Sequence, residues 1–160
     1  MIFLSRFRII RITASICLDF SKNPSSFIKR YWEYNGKKKL GPKVPAIEWG
    51  KDHEDDALQA CATLFGEGVK KCGFFVSKKF PQFGCSPDGI FKDWLIEVKC
   101  PYSLKETTPT DLSKLNATQK RSFWLVQTPN GVQLDKKHKY YYQCQWQMFV
   151  TGFKKVKFAA

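Results

Sequence analysis

The sequence has no Cys-x-x-Cys pair, no long apolar run, no internal repeat and no low-complexity tract, and it is short of acidic side chains. Each absence excludes something. Six cysteines, at 17, 61, 72, 85, 100 and 144, lack zinc-ligand spacing, and without a secretory signal they read as reduced, buried thiols. No apolar stretch approaches the roughly 18 residues that a membrane-spanning helix needs. Arg6, Arg8 and Arg11 interrupt the apolar N-terminus before a signal core can form. An organelle presequence over Met1–Leu18 is the lesser reading of that acid-free start. The expectation is an intracellular, soluble protein away from membranes: nuclear in a eukaryote, cytoplasmic otherwise, with the mitochondrion the weaker choice.

What is present points one way. A chain of 160 residues suits a single domain and can bury a core. Its 43% hydrophobic and 16% aromatic content excludes disorder, because a disordered chain of this charge would be poor in aromatics. Lys and Arg number 27 against 14 Asp and Glu, a formal charge of +13. Residues 1–40 hold nine basic and two acidic side chains, and residues 101–160 hold ten and three. Residues 41–60 invert the balance with two basic and five acidic. Basic flanks around an acidic middle suit a protein that grips a polyanion, nucleic acid being the commonest, and keeps carboxylates for chemistry.

Periodicity predicts helices over Ser25–Tyr34, Ala46–Phe65 and Lys136–Gly152, with a loop over Asn35–Pro45. Strands are expected over Gly73–Phe80, Cys85–Phe91, Trp94–Cys100 and Val156–Phe158, with a hairpin from Ser122–Gln127 to Val132–Leu134. A further helix is expected around Thr110–Leu115. Glu54 falls four residues before Leu58 and seven before Cys61, on the inward stripe of its helix. A carboxylate there is costly unless it is paired or near a metal; the alternative is a solvated position at the edge of the stripe.

The most informative stretch is Ser86-Pro-Asp88-Gly followed by Leu95-Ile-Glu97-Val-Lys99-Cys-Pro101. Alternation along a strand puts Glu97 and Lys99 on one face and Ile96, Val98 and Cys100 on the other. If Lys92-Asp93 is a hairpin tip, positions 88 and 97 mirror each other about it, about 5 Å apart on the same face. Two opposed carboxylates repel unless a proton or a cation intervenes. Hard oxygen donors suit Mg²⁺, with Mn²⁺ the alternative. Such an ion polarises a phosphodiester and lowers the pKa of a bound water. A neighbouring lysine can orient that water, take its proton, or neutralise charge in the transition state. The plain alternative is a salt-bridged hairpin.

Several segments together resemble the YqaJ-like viral recombinase family, the branch of the PD-(D/E)xK nucleases that includes the phage lambda exonuclease. They are Arg8-Ile-Ile-Arg-Ile-Thr-Ala-Ser15, Trp49-Gly-Lys-Asp-His-Glu54-Asp-Asp-Ala57, Gly73-Phe74, Ser86-Pro-Asp88-Gly, Leu95-Ile-Glu97-Val-Lys99-Cys-Pro101 and Tyr141-Tyr-Gln143-Cys-Gln145-Trp-Gln-Met148. They keep the family's order and span nearly the whole chain, as one domain over 1–160. The resemblance implies an α/β restriction-endonuclease-like fold, a mixed central sheet with helices on both sides. It implies that Asp88, Glu97 and the main-chain carbonyl of Val98 hold the metal. Lys99 would be the catalytic lysine, and Glu54 would approach the metal through water. Gln143 would position the nucleophile or a second metal, and Arg8, Ser15 and Ser86 would bind a DNA 5′-phosphate.

The residues leave two of these open: Ser15 could cap a short helix, and Gln143 could face solvent. The implied activity is a Mg²⁺-dependent deoxyribonuclease, a 5′→3′ exonuclease on double-stranded DNA ends in recombination or repair. The alternatives are a catalytically inactive DNA-binding module or a metal-dependent endonuclease of the same fold. A homo-oligomer and a single-strand annealing protein are the implied partners besides DNA. Measured against the family, the domain is expected to be truncated at both ends, with extra sequence between Lys99 and Gln143.

Overall fold

The computed structural model describes residues 11–35, 44–66, 68–105, 115, 120 and 123–160. Of the helix expected around Thr110–Leu115, residues 110–114 lie outside them, as do residues 36–43 of the loop expected over Asn35–Pro45. In chain order, strand β1 (Ile12–Thr13) runs through a 3₁₀ turn (Ala14–Ile16) into α1 (Cys17–Lys22) and α2 (Pro24–Asn35). Asn23 starts α2: its Oδ1 accepts from Ser26 N–H at 3.1 Å, and Pro24, which has no N–H to leave unpaired, follows.

The single helix expected over Ala46–Phe65 is two, α3 (Pro45–Asp52) and α4 (Glu54–Phe65), separated at His53. The His53 ring stacks on Trp49 with centroids 3.6 Å apart, and its Nδ1 lies 2.9 Å from Trp49 O. The His53 N–H also donates to Trp49 O, at 3.1 Å, so this local pairing gathers on one carbonyl of α3 where the chain turns.

Two small three-stranded sheets follow. In the first, β3 (Phe83–Cys85) lies between β1, parallel to it, and β2 (Phe75–Val76), antiparallel. In the second, β5 (Trp94–Val98) lies between β4 (Gly89–Phe91), antiparallel, and β8 (Val156–Ala159), parallel. The strand expected over Cys85–Phe91 is therefore divided between sheets. Pro87, which has no N–H to give a ladder, sits at the division. The strand expected over Gly73–Phe80 shrinks to two residues. The hairpin β6 (Leu125–Thr128) and β7 (Gly131–Leu134) turns through Pro129-Asn130, pairing Thr128 with Gly131.

The last helix, α5 (Lys139–Thr151), begins at His138, whose Nδ1 accepts from Tyr140 N–H at 3.3 Å. It ends at Gly152, which adopts φ 82°, a left-handed conformation that costs glycine little.

The core is divided as the sheets are. Leu58 and Cys61 of α4 pack on Phe91, Ile96 and Val98 of the second sheet. Val150 of α5 packs with Ala14 and Cys85 against the first. Because helices cover both faces of β5, Leu95, Ile96, Glu97 and Val98 are all buried, and only Glu97 among them is polar. Among the described residues no helix is long and apolar enough to cross a membrane.

Candidate active site

The hairpin β4–β5 sets the site. Gly89 pairs with Ile96 and Phe91 with Trp94, the register that places Lys92-Asp93 at the tip and position 88 across from 97. Asp88 lies one residue outside β4 and departs from the expected side-by-side pairing. Its backbone N–H donates to Ile96 O at 3.1 Å, and its Oδ2 accepts from Val98 N–H at 2.7 Å. The carboxylate thus ties down the end of β5 as well as facing the site. Gly89 must follow it, because a Cβ there would stand 2.6 Å from Val69 Cγ1.

Glu97 is 1% exposed, yet its carboxylate is covered by polar groups rather than by an apolar layer. Lys99 Nζ and Gln143 Nε2 both donate to its Oε1, and Gln147 Nε2 donates to Oε2 at 2.6 Å. The Lys99 ammonium also donates to Val98 O at 2.9 Å and stands 4.0 Å from Asp88 Oδ2, with the Tyr140 ring 5.4 Å beneath it. Asp88, Glu97, Lys99, the Val98 carbonyl and Gln143 therefore converge at the end of β5. The sequence reading missed Gln147. Its signal was available: it lies one helical turn after Gln143, on the same face of α5.

The electrostatics follow from this crowding. Burial, and next the Glu97 charge, push the Asp88 carboxyl up to about 6. Glu54, the first residue of α4 and half-buried, is raised by burial and then by the charge of Asp88, which puts it within electrostatic reach of the cluster. For Lys99, burial lowers the pKa, but the charges of Glu97 and Asp88 and the Glu97 hydrogen bond outweigh it, so the value is raised and the side chain is an ammonium.

Ser15 and Ser86 are placed alike. Thr13 of β1 pairs with Gly84 of β3 in parallel, and each serine follows its paired residue by two, at the same end of neighbouring strands. Ser15 is exposed, with its Oγ 3.2 Å from Thr13 Oγ1. It lies inside the 3₁₀ turn rather than capping a helix. Arg8 lies outside the described residues. Of the cysteines near the site, Cys85 and Cys144 are buried thiols as expected, whereas Cys100 is half-exposed. Cys100 borders a cavity of about 460 Å³ that opens beside Lys99, walled by Trp49, His53, Pro101 and Leu104.

Among the described residues no three His, Cys, Asp or Glu side chains cluster closely enough to hold an ion by themselves. The oxygens that do converge are the Asp88 and Glu97 carboxylates and the Val98 carbonyl, and the Lys99 ammonium sits among them. A cation is thus already accommodated within the expected donor set. Hard oxygens in that number suit Mg²⁺, which takes one or two carboxylates and fills its shell with water and substrate phosphate. The residues fit such an ion.

Two solved structures are similar in fold. One is the alkaline exonuclease LHK-Exo from Laribacter hongkongensis, at 23% identity and a TM-score of 0.63. The other is LHK-Exo in complex with dAMP, at 23% and 0.66. Each comparison covers 95% of this chain and 70% of that one. At this identity the likeness concerns the fold, a mixed α/β arrangement of the PD-(D/E)xK type. No curated protein matches the chain. Residues 5–154 match the YqaJ-like viral recombinase domain, and the chain belongs to that family.

Proposed function

We propose that this domain is a divalent-metal-dependent DNA exonuclease whose active site is the Asp88–Glu97–Lys99 cluster. The observation that carries the reading is the convergence of two carboxylates, a main-chain carbonyl and an ammonium at the end of β5, in a protein of charge +13. Family membership and the fold shared with an alkaline exonuclease support it.

Asp88, Glu97 and the Val98 carbonyl would hold Mg²⁺, with Mn²⁺ able to replace it. When bound, the ion polarises the phosphodiester and lowers the pKa of water. The protein's own groups do the rest. Lys99, held as an ammonium, neutralises charge on the phosphorus centre as it becomes five-coordinate; in this state it has no free pair with which to take a proton. Gln143 has its amide on Glu97 and would orient that carboxylate and the attacking water. Glu54, which feels the charges of Asp88 and Lys99, would act on the ion through water. The cavity beside Lys99 falls within the roughly 300–1,000 Å³ of small-molecule sites and has room for a nucleotide. Ser15 and Ser86 each follow a paired residue of neighbouring strands by two; they would donate to a terminal phosphate, with Arg8 as the expected guanidinium partner. Such a phosphate pocket would favour 5′→3′ action on double-stranded ends, in recombination or repair.

The test is cleavage of linear and covalently closed circular DNA, with Mg²⁺ and with EDTA. The expected result is degradation of the linear form alone, abolished by EDTA and by Glu97→Ala or Lys99→Ala. Cutting of closed circles would make the protein an endonuclease. Salt-sensitive binding with no metal-dependent product would make it a DNA-binding module.

A further inference from the structure

We propose that Gln147 is a positioning residue for the active site, fixing the plane of the Glu97 carboxylate from inside the core. The inference rests on the assignment of Glu97 as a metal-holding carboxylate. Gln147 lies on α5, one turn beyond Gln143, and the two amides grip opposite oxygens of Glu97. Gln147 is fully buried, and its bond to Oε2, at 2.6 Å, is wholly enclosed. A carboxylate can only accept, so the amide nitrogen must face Glu97 and the amide oxygen must face away. Among the described residues that oxygen has no donor.

This is the telling feature. A buried acceptor without a donor destabilises a fold, and an apolar side chain of similar size would avoid the loss. What the amide contributes at this position is therefore its bond to Glu97.

The division of labour between the two oxygens gives that bond its purpose. Oε1 is shared by Lys99 and Gln143, the same ammonium that lies against Val98 O and near Asp88. Any cation entering that oxygen set must rearrange the bonds on Oε1. Oε2 accepts from Gln147, whereas Lys99 and Gln143 donate to Oε1, so the Gln147 bond survives the exchange. Gln147 thus anchors the carboxylate while its other oxygen changes partner.

The experiment uses the full chain with Gln147→Met, which preserves bulk and deletes the donor, and Gln147→Asn, which keeps an amide one methylene short. Mn²⁺ alone is titrated by calorimetry, and DNA cleavage is followed in parallel. Both variants should bind Mn²⁺ roughly 10–100-fold more weakly, as removal of an outer partner of a ligand does. The rate constant kcat should fall while KM for DNA stays near wild type. In a Glu97→Gln background the Gln147→Met change should add nothing further.

Mn²⁺ affinity and kcat within twofold of wild type in a folded variant would overturn the proposal. So would the failure of both variants to show a cooperative urea transition, which would make Gln147 a residue of the core alone. A wild-type chain that binds no Mn²⁺ would remove the metal assignment itself, an outcome distinct from either of these.

Discussion

Replacing Asp88 by Asn should stabilise the metal-free protein at neutral pH while abolishing its activity. Asp88 is 15% exposed at its side chain, and burial with the nearby Glu97 charge pushes its carboxyl from 3.8 up to about 6. A carboxyl whose pKa is higher folded than unfolded binds its proton more tightly in the fold. The associated stability is full below pH 4 and is lost as pH rises through about 6. At pH 7.5 the ionised Asp88 therefore works against folding, by at most roughly 3 kcal/mol. Asn removes that charge and still offers an oxygen to Val98 N–H, the bond now 2.7 Å long. Loss of charge assistance in that bond, and of a favourable neighbour for Lys99, takes back about 1 kcal/mol. The net expectation is a gain of about 1–2 kcal/mol in urea unfolding at pH 7.5 in EDTA. The gain should vanish near pH 4, where the wild-type carboxyl is protonated. Saturating Mn²⁺ should reverse the order, because only the wild type gains from binding the ion. A variant less stable than wild type at pH 7.5 in EDTA would refute the reasoning.

Other consequences are open to direct measurement. Glu97→Ala and Lys99→Ala should lower Mg²⁺-dependent cleavage by about 10²–10³-fold or more and leave filter-retained DNA binding within a few fold. Gly89→Ala forces its Cβ against Val69, 2.6 Å away, and should cost about 1–3 kcal/mol in urea unfolding. DNA affinity of a chain with 27 basic residues should fall steeply with salt. A linear log–log plot with a slope of about −0.9 per phosphate contacted is expected, unchanged by Glu97→Ala. A flat salt dependence would remove the electrostatic account of binding.

Most of the site could be read in the sequence because it is local. The Asp88–Glu97 relation is set by one two-residue turn, and strand alternation then fixes the faces of Glu97 and Lys99 without tertiary information. The helix carrying Gln143 and the hairpin through Pro129-Asn130 were legible for the same reason. What escaped depends on contacts between elements or on exceptions to periodicity. The break at His53 comes from a ring stacked on Trp49, which apolar spacing does not register. The division at Pro87 was visible as a proline inside an expected strand, but alternation on either side of it concealed the change of sheet. Asp88's bond to Val98 N–H depends on the chain bending out of β4 one residue early. Gln147 looked like an ordinary helix polar residue; only the packing of α5 across β5 makes it a partner of Glu97.

The central claim is that the oxygens of Asp88, Glu97 and Val98, now gathered around the Lys99 ammonium, form the seat of a divalent ion. Anomalous diffraction from crystals soaked in Mn²⁺ tests it most directly. The account predicts an anomalous peak bounded by the two carboxylates and the Val98 carbonyl, with the Lys99 ammonium shifted away from Glu97 and Gln147 still on Oε2. A Mn²⁺ concentration that supports cleavage, with no peak at that position and Lys99 unmoved, would contradict it.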